Sequence, residues 1–144
     1  MKNERTNRMQ RGFTLIELLV VLVILGLLAG LAGPRVISYL AGARDKTARL
    51  QIEEFAGSLD LFKLETGRYP TTQEGLQALV QSPPGVAGWN GPYLRKPNVP
   101  KDPWDNDYHY VAPGQHGAYD ISSWGADNRE GGEGDNKDIN GWEK

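Results

Sequence analysis

Residues 12–33 read GFTLIELLVVLVILGLLAGLAG, an apolar run in which Glu17 is the single charged residue. The 21 residues from Phe13 to Gly33 would make a helix about 31 Å long at about 1.5 Å per residue. That length matches the hydrocarbon core of a bilayer. The stretch therefore predicts a transmembrane helix over residues 13–33 of this 144-residue chain.

The charges around this run predict its orientation. The first twelve residues carry a net charge of +3, from Lys2, Arg5, Arg8 and Arg11 against Glu4. Because basic flanks stay in the cytoplasm, residues 1–12 are expected inside and residues 34–144 outside, in the periplasm of a bacterium. The rest of the chain is acidic and its basic residues do not cluster, which argues against nucleic-acid binding.

The helical pattern continues beyond the apolar run. After Pro34, apolar residues recur at helical spacing at Ile52, Phe55, Ala56, Leu59 and Phe62. Since proline can kink a helix without ending it, one long helix is predicted from Phe13 to about Glu65, with Gly67 as its C-cap.

A cleaved secretory signal peptide is the alternative, with Gly30, Ala32 and Gly33 as small residues for processing. Glu17 argues against it. A carboxylate inside an apolar helix costs up to about 2.5–3.5 kcal/mol and has no use in a signal peptide. Such a charge usually has a partner.

The remaining residues predict a small α+β body. Thr71 and Glu74 have the spacing of a capping box, which predicts a short second helix to about Gln81. Six prolines make residues 82–106 an ordered loop. Aromatic and β-branched runs at 108–111 and 119–123 predict a hairpin, so a small antiparallel sheet is expected to lie on the long helix.

Acidic side chains dominate the C-terminal end and suggest one binding site. Glycines separate them, and carboxylates with turned backbone carbonyls are the oxygen ligands that calcium needs. From composition alone a solvated loop without a bound ion is the preferred interpretation. The acids are Asp127, Glu130, Glu133, Asp135 and Asp138.

Other acidic and polar groups do not predict catalysis. Asp102, Asp105 and Asp107 are interpreted as a turn, because Pro103 and Trp104 interrupt them. A triad of His116 and Asp120 with a nearby serine lacks a nucleophile elbow. The chain has no cysteine, which excludes thiol chemistry. Because no convergent set of catalytic residues is found, no enzymatic activity is predicted.

The stretch Gly12-Phe13-Thr14-Leu15-Ile16-Glu17, after a short basic leader, resembles the class III signal of type IV pilins and pseudopilins. This resemblance implies cleavage by prepilin peptidase after Gly12 and N-methylation of Phe13. Segments 66–71, 91–94, 100–104 and 125–139 are similar to the major pseudopilins of the type II secretion system.

The resemblance implies a pilin-like fold, with a long N-terminal helix, a small sheet and a calcium-binding C-terminal loop in a periplasmic domain over residues 34–144. In that loop it implies Asp127 and Asp135 as side-chain ligands of Ca2+. Trp124 and Arg129 would donate carbonyls, and Glu133 is a further candidate.

The expected function is that of the major structural subunit of a pseudopilus, which polymerises through its N-terminal helix and drives export of folded proteins across the outer membrane. Glu17 is expected to act in assembly. The implied partners are copies of the chain, minor pseudopilins, the inner-membrane assembly platform and prepilin peptidase. The alternatives are a type IV pilin or minor pilin-like subunit for adhesion, motility or DNA uptake, and a signal-anchored periplasmic enzyme or binding protein. The lack of cysteine favours the pseudopilin, because many type IV pilins close a C-terminal loop with a disulfide.

Overall fold

A computed structural model describes residues 12–143 of the chain. The predicted leader therefore lies almost wholly outside the described residues. The chain forms two compact units, one up to Tyr39 and one from Leu40 onward. The elements are helix α1 (Leu15–Thr66), a 3-10 helix (Leu76–Leu79), strands β1 (His109–Val111) and β2 (Asp120–Ser123), a 3-10 turn (Gly134–Asn136) and strand β3 (Ile139–Asn140).

The first unit consists of the first part of α1, which is apolar and uncovered. Except for the half-buried Gly33, every described residue through Tyr39 is exposed. The most apolar window of α1 has a mean hydropathy of 2.8, high enough for a membrane span, and none of that window is buried. Pro34 lies inside α1 without ending it, as predicted.

In the second unit, α1 buries one stripe of its surface. Ala48, Ile52, Phe55, Leu59 and Phe62 lie three or four residues apart and are at most 6% exposed, as expected for one face of an amphipathic helix. The core is completed by Leu76, Ala78, Leu79, Leu94, Tyr108, Tyr110, Ile121 and Ile139.

Helix α1 ends where the sequence predicts. Gly67 adopts a positive φ of 84°, and its N–H donates to the carbonyl of Lys63 at 2.8 Å. Glycine is favoured at this position because it adopts left-handed backbone without steric cost.

The sheet contains three antiparallel strands in the order β1-β2-β3. Tyr110 pairs with Ile121 and Ser123 pairs with Ile139. The predicted hairpin is confirmed, and so is the α+β class, with a long helix packed on a small antiparallel sheet. Strand β3 has two residues and was not predicted.

The predicted short second helix is present, but it is of the 3-10 type and ends before Gln81. The capping box forms, with Thr71 N–H donating to Glu74 Oε2 at 2.8 Å and Glu74 N–H donating to Thr71 Oγ1 at 3.2 Å. However, Gly75 follows with φ of 59°, and right-handed helix cannot continue through that conformation. A single 3-10 helix, Leu76–Leu79, forms instead.

The proline-rich segment is an ordered loop, as predicted, and is tied to the core. Trp89 Nε1 donates to the carbonyl of Ala78 at 2.8 Å. Tyr93 stacks edge-on against Phe62 at 5.8 Å, while its backbone N–H donates to Leu79 at 2.7 Å. These contacts hold the loop against α1 and the 3-10 helix although it has no regular structure of its own.

Candidate functional site

The start of α1 carries a capping box formed by Thr14 and Glu17. Thr14 N–H donates to Glu17 Oε2 at 3.3 Å, and Glu17 N–H donates to Thr14 Oγ1 at 3.2 Å. Each group satisfies a backbone donor that the first turn of a helix leaves unpaired. Sequence reasoning missed this role, although Thr14-x-x-Glu17 is the same signal that was recognised at Thr71.

The predicted cleavage bond lies immediately before this box. Gly12 and Phe13 precede α1, and the Phe13 side chain is 90% exposed. No atom lies within 4 Å of the position a Cβ at Gly12 would take. Within the described residues, the Gly12–Phe13 peptide bond is therefore open to another protein.

The C-terminal loop begins at Gly125, which is held on both sides. Its N–H donates to Ser123 Oγ at 3.3 Å, and its carbonyl accepts from Asn106 Nδ2 at 2.9 Å. The next residue, Ala126, donates its N–H to the carbonyl of Asp135 at 2.8 Å. This bond closes the loop and brings the backbone beside Asp127 against Asp135.

The acids of the loop have different environments. Asp127 is exposed, and its Oδ1 accepts the N–H of Arg129 at 3.3 Å. Asp135 Oδ2 lies 3.6 Å from the guanidinium of Arg44 on α1. Asp138 Oδ2 accepts the N–H of Gly131 at 2.8 Å.

Two oxygens of these acids are buried without a partner. Asp135 Oδ1 and Asp138 Oδ1 have no hydrogen-bond partner among the described residues. A buried unpaired carboxylate oxygen is costly, and it requires an explanation such as a bound ion or water. Both atoms are hard oxygen donors, which fits the calcium that the resemblance implies.

The carboxylates alone do not complete a metal site. In the part of the chain that the structure describes, no three histidine, aspartate or glutamate side chains are placed to hold a metal together. A cation in this loop would therefore need backbone carbonyls as well, as calcium sites commonly have. The glycines of the loop permit such turned carbonyls.

The other predicted ligands lie on this loop or, for Trp124, directly before it. Trp124 stacks on His109, with ring centroids 3.5 Å apart, and His109 Nε2 lies 3.2 Å from Asn128 Oδ1. Arg129 and Glu133 are exposed. Asp138 belongs to the acidic cluster that the sequence analysis singles out, although the ligand set implied by the resemblance does not include it.

The hydrolytic triad considered for His116, Asp120 and a nearby serine does not form. His116 Nδ1 lies 3.0 Å from Asp120 Oδ2, but Ser123 Oγ donates to Asp102 instead, at 2.6 Å. Burial acts to raise the pKa of Asp120, while hydrogen bonds from His116 and Gln115 lower it below its usual value overall. The pair therefore acts as a structural contact of the 113–120 turn.

Comparison with known families explains both ends of the chain. Residues 35–142 match the family model described as type II secretion system protein G. The chain belongs to this protein G family. Residues 7–33 match the prokaryotic N-terminal methylation motif, which agrees with the class III signal recognised at Gly12–Glu17.

Relatives of the protein G family cover nearly the whole chain. The type II secretion system core protein G of Pseudomonas aeruginosa is 47% identical over 140 residues, which span 94% of this chain and 97% of that protein. The Vibrio cholerae protein of the same name is 44% identical, covering 94% and 93%.

A solved structure shares the fold. The crystal structure of the major pseudopilin from the type 2 secretion system of enterohaemorrhagic Escherichia coli matches with a TM-score of 0.61 and 34% identity. The match covers 70% of this chain and 88% of that one. These findings confirm the pseudopilin interpretation over the type IV pilin alternative.

Proposed function

We propose that this protein G chain is the major structural subunit of a pseudopilus, with a structural rather than an enzymatic role. The observation that carries the proposal is the uncovered apolar part of α1. Among the described residues, every core residue lies after Leu40, and residues 15–39 are exposed apart from the half-buried Gly33. An apolar helix of this size must be covered by lipid or by neighbouring helices.

The first part of α1 lies in lipid before assembly and against neighbouring helices after it. Before assembly it spans the inner membrane, with the basic leader in the cytoplasm and the body in the periplasm, as the charge pattern favours. Prepilin peptidase cleaves after Gly12 and Phe13 is methylated, which the methylation motif over residues 7–33 supports. The mature helix then packs against copies of itself in a filament whose growth exports folded proteins.

Glu17 fixes the register of assembly. Cleavage creates an amine at Phe13, a cation beside an apolar helix, and Glu17 of a neighbouring copy neutralises it. In a low dielectric this attraction is much stronger than in water, although desolvation offsets part of the gain. Minor pseudopilins and the inner-membrane assembly platform are the further partners that this role implies.

A chromosomal deletion complemented with plasmid-borne variants tests the role. The wild-type gene should restore secretion, and the extracted protein should have the mass of a chain starting at Phe13 with one added methyl group. Gly12→Glu should leave uncleaved precursor in the membrane and restore nothing, whereas Gly26→Ala is a control within the same helix. A mature terminus near Gly33 would contradict the proposal.

We propose further that the C-terminal loop binds Ca2+. Asp127, Asp135 and Asp138 would hold the ion with side-chain oxygens, together with the carbonyls of Trp124 and Arg129, and Glu133 is a further candidate. Two unpartnered buried oxygens support this assignment. The bound ion would neutralise the loop and order its glycine-rich backbone, which otherwise has a high entropic cost.

Thermal melting of the full chain in detergent, with calcium, magnesium or chelator, tests the loop. Ligand binding to the folded state should stabilise it by about 2.7 kcal/mol when calcium is a hundredfold above its dissociation constant. Asp127→Ala and Asp138→Asn should remove the calcium-specific rise in Tm. Glu130→Ala is the control, an exposed acid of the same loop. Identical melting in all three conditions would contradict a calcium site.

A further inference from the structure

Asp102 is a buried carboxylate far along the chain from the C-terminal loop. It is 4% exposed. Its Oδ1 accepts the N–H groups of Trp104 at 3.0 Å and Asn106 at 2.8 Å, and its Oδ2 accepts the hydroxyl of Ser123 at 2.6 Å. A buried carboxylate persists when charge-assisted hydrogen bonds compensate its desolvation.

Two of these three partners also hold the start of the loop. Ser123 Oγ accepts the N–H of Gly125 at 3.3 Å. Asn106 Nδ2 donates to the carbonyl of Gly125 at 2.9 Å. The N–H of Gly125 is therefore connected to the Asp102 carboxylate through Ser123, and its carbonyl is connected to the same carboxylate through Asn106.

Gly125 in turn determines where the loop closes. It has φ of 63°, and a Cβ there would lie 2.7 Å from the carbonyl oxygen of Asp135. Only a glycine permits so close an approach. Immediately beyond it, Ala126 forms its 2.8 Å bond to Asp135.

We infer that Asp102 is a positioning residue for the C-terminal loop, and that it sets the contact between residues 125–126 and Asp135 through Ser123 and Asn106. The inference concerns loop geometry, and its calcium consequence rests on the proposed calcium function. Residues that hydrogen-bond to metal ligands typically change affinity by about 10–100-fold. Asp102 lies further from the proposed ion than such residues, so its effect on calcium binding should fall at the lower end of that range.

The charge of Asp102 is required for the direction of these bonds. A carboxylate only accepts, so the Ser123 proton points to Asp102 and the oxygen of Ser123 remains able to accept from Gly125. In Asp102→Asn the amide would offer donors toward Ser123. The serine hydroxyl would then lose its acceptor and would have to turn toward another partner, which would alter the orientation of the oxygen that accepts from Gly125 N–H.

The test compares Asp102→Asn, Ser123→Ala and their double variant in the detergent-solubilised full chain. The matched control is Asp105→Asn, the same chemical change at an exposed acid of the same turn. NMR-detected hydrogen exchange is measured in chelator at the Ala126 and Leu59 amides. Calcium dissociation constants are measured by titration calorimetry.

Each single variant should accelerate exchange at Ala126 about tenfold or more relative to Leu59, and weaken calcium binding about tenfold. The double variant should be no worse than Asp102→Asn alone, because Ser123→Ala removes one of the two connections that Asp102→Asn already disrupts. Asp105→Asn should match the wild type.

Equal acceleration at Ala126 and Leu59 would show only a loss of global stability and overturn the inference. Unchanged exchange at Ala126 would overturn it also. If Asp102→Asn does not fold, Ser123→Ala, which removes only the bridging hydroxyl, decides by the same criteria. If the wild type binds no calcium, only the calcium proposal is contradicted. The inference about Asp102 is still tested, because hydrogen exchange is measured in chelator.

Discussion

Two regions of this molecule carry the same four-residue capping box. Thr14 and Glu17 open α1, and Thr71 and Glu74 precede the 3-10 helix. In each, the glutamate accepts the threonine N–H and the threonine hydroxyl accepts the glutamate N–H at 3.2 Å. Local sequence thus produces the same turn in an apolar helix and in a polar body.

The two glutamates differ in their surroundings. The Glu74 carboxylate accepts hydrogen bonds from the two terminal nitrogens of Arg68, Nη1 and Nη2, at 2.7 Å each. This hydrogen-bonded cation is the main reason that the pKa of Glu74 is lowered to about 2. Among the described residues, Glu17 has no cationic partner within salt-bridge distance. Among the described residues the box at Glu74 includes its cation, whereas the box at Glu17 does not, which is compatible with the proposed pairing of Glu17 with a neighbouring copy.

The largest expected effect is on assembly. Glu17→Ala should be processed and retained in the membrane but should form no pseudopili when overproduced, because the amine at Phe13 of a neighbouring copy loses its counter-ion. Electron microscopy of sheared filaments and a secretion assay measure the result. Glu74→Ala is the matched control, and it should assemble. Normal filaments from Glu17→Ala would show that its carboxylate needs no partner.

The second expected effect is on the stability of the body, which should depend on Glu74 and not on Glu17. Glu74→Ala should destabilise the body by about 1–2 kcal/mol, because it removes a capping acceptor and the partner of Arg68. Glu17→Ala should leave the Tm of the body unchanged. Denaturant melts of the full chain in detergent measure both variants, and equal losses would mean that the two units do not unfold separately.

Stability should depend on pH through Glu74. Its folded pKa of about 2 lies below the ordinary value of 4.5, so the contribution is fully present above about pH 4.5 and is lost as pH falls toward 2. Glu74→Gln should remove this part of the acid sensitivity. Melts from pH 6 to pH 2 compare it with the wild type, and parallel curves would show that other carboxyl groups cause the acid unfolding.

Long or strongly patterned elements could be predicted from the sequence. Helix α1 follows from its apolar run and the stripe from Ile52 to Phe62, and it begins and ends within two residues of the prediction. The hairpin follows from β-branched and aromatic residues. These signals are local, since period and composition determine which face is buried.

The missed features depend on contacts distant in the sequence. Strand β3 has two residues and exists because Ser123 pairs with Ile139. Asp102 resembled a turn acid, and its burial arises only when β2 brings Ser123 against it. The calcium ligands proposed from the resemblance remain predictions, while the unpaired oxygen of Asp138 came only from the structure.

The smallest expected effect separates the cap from the charge at Glu17. Thr14→Ala removes the acceptor of the Glu17 N–H but keeps the carboxylate, so the first turn of α1 should lose about 0.5–1 kcal/mol. Hydrogen exchange at the Glu17 amide should accelerate about two- to fivefold, with filaments of normal length. If Thr14→Ala abolished filaments as completely as Glu17→Ala, assembly would depend on an intact capping box and not specifically on pairing of the carboxylate with a neighbour, and the two boxes would differ in location only.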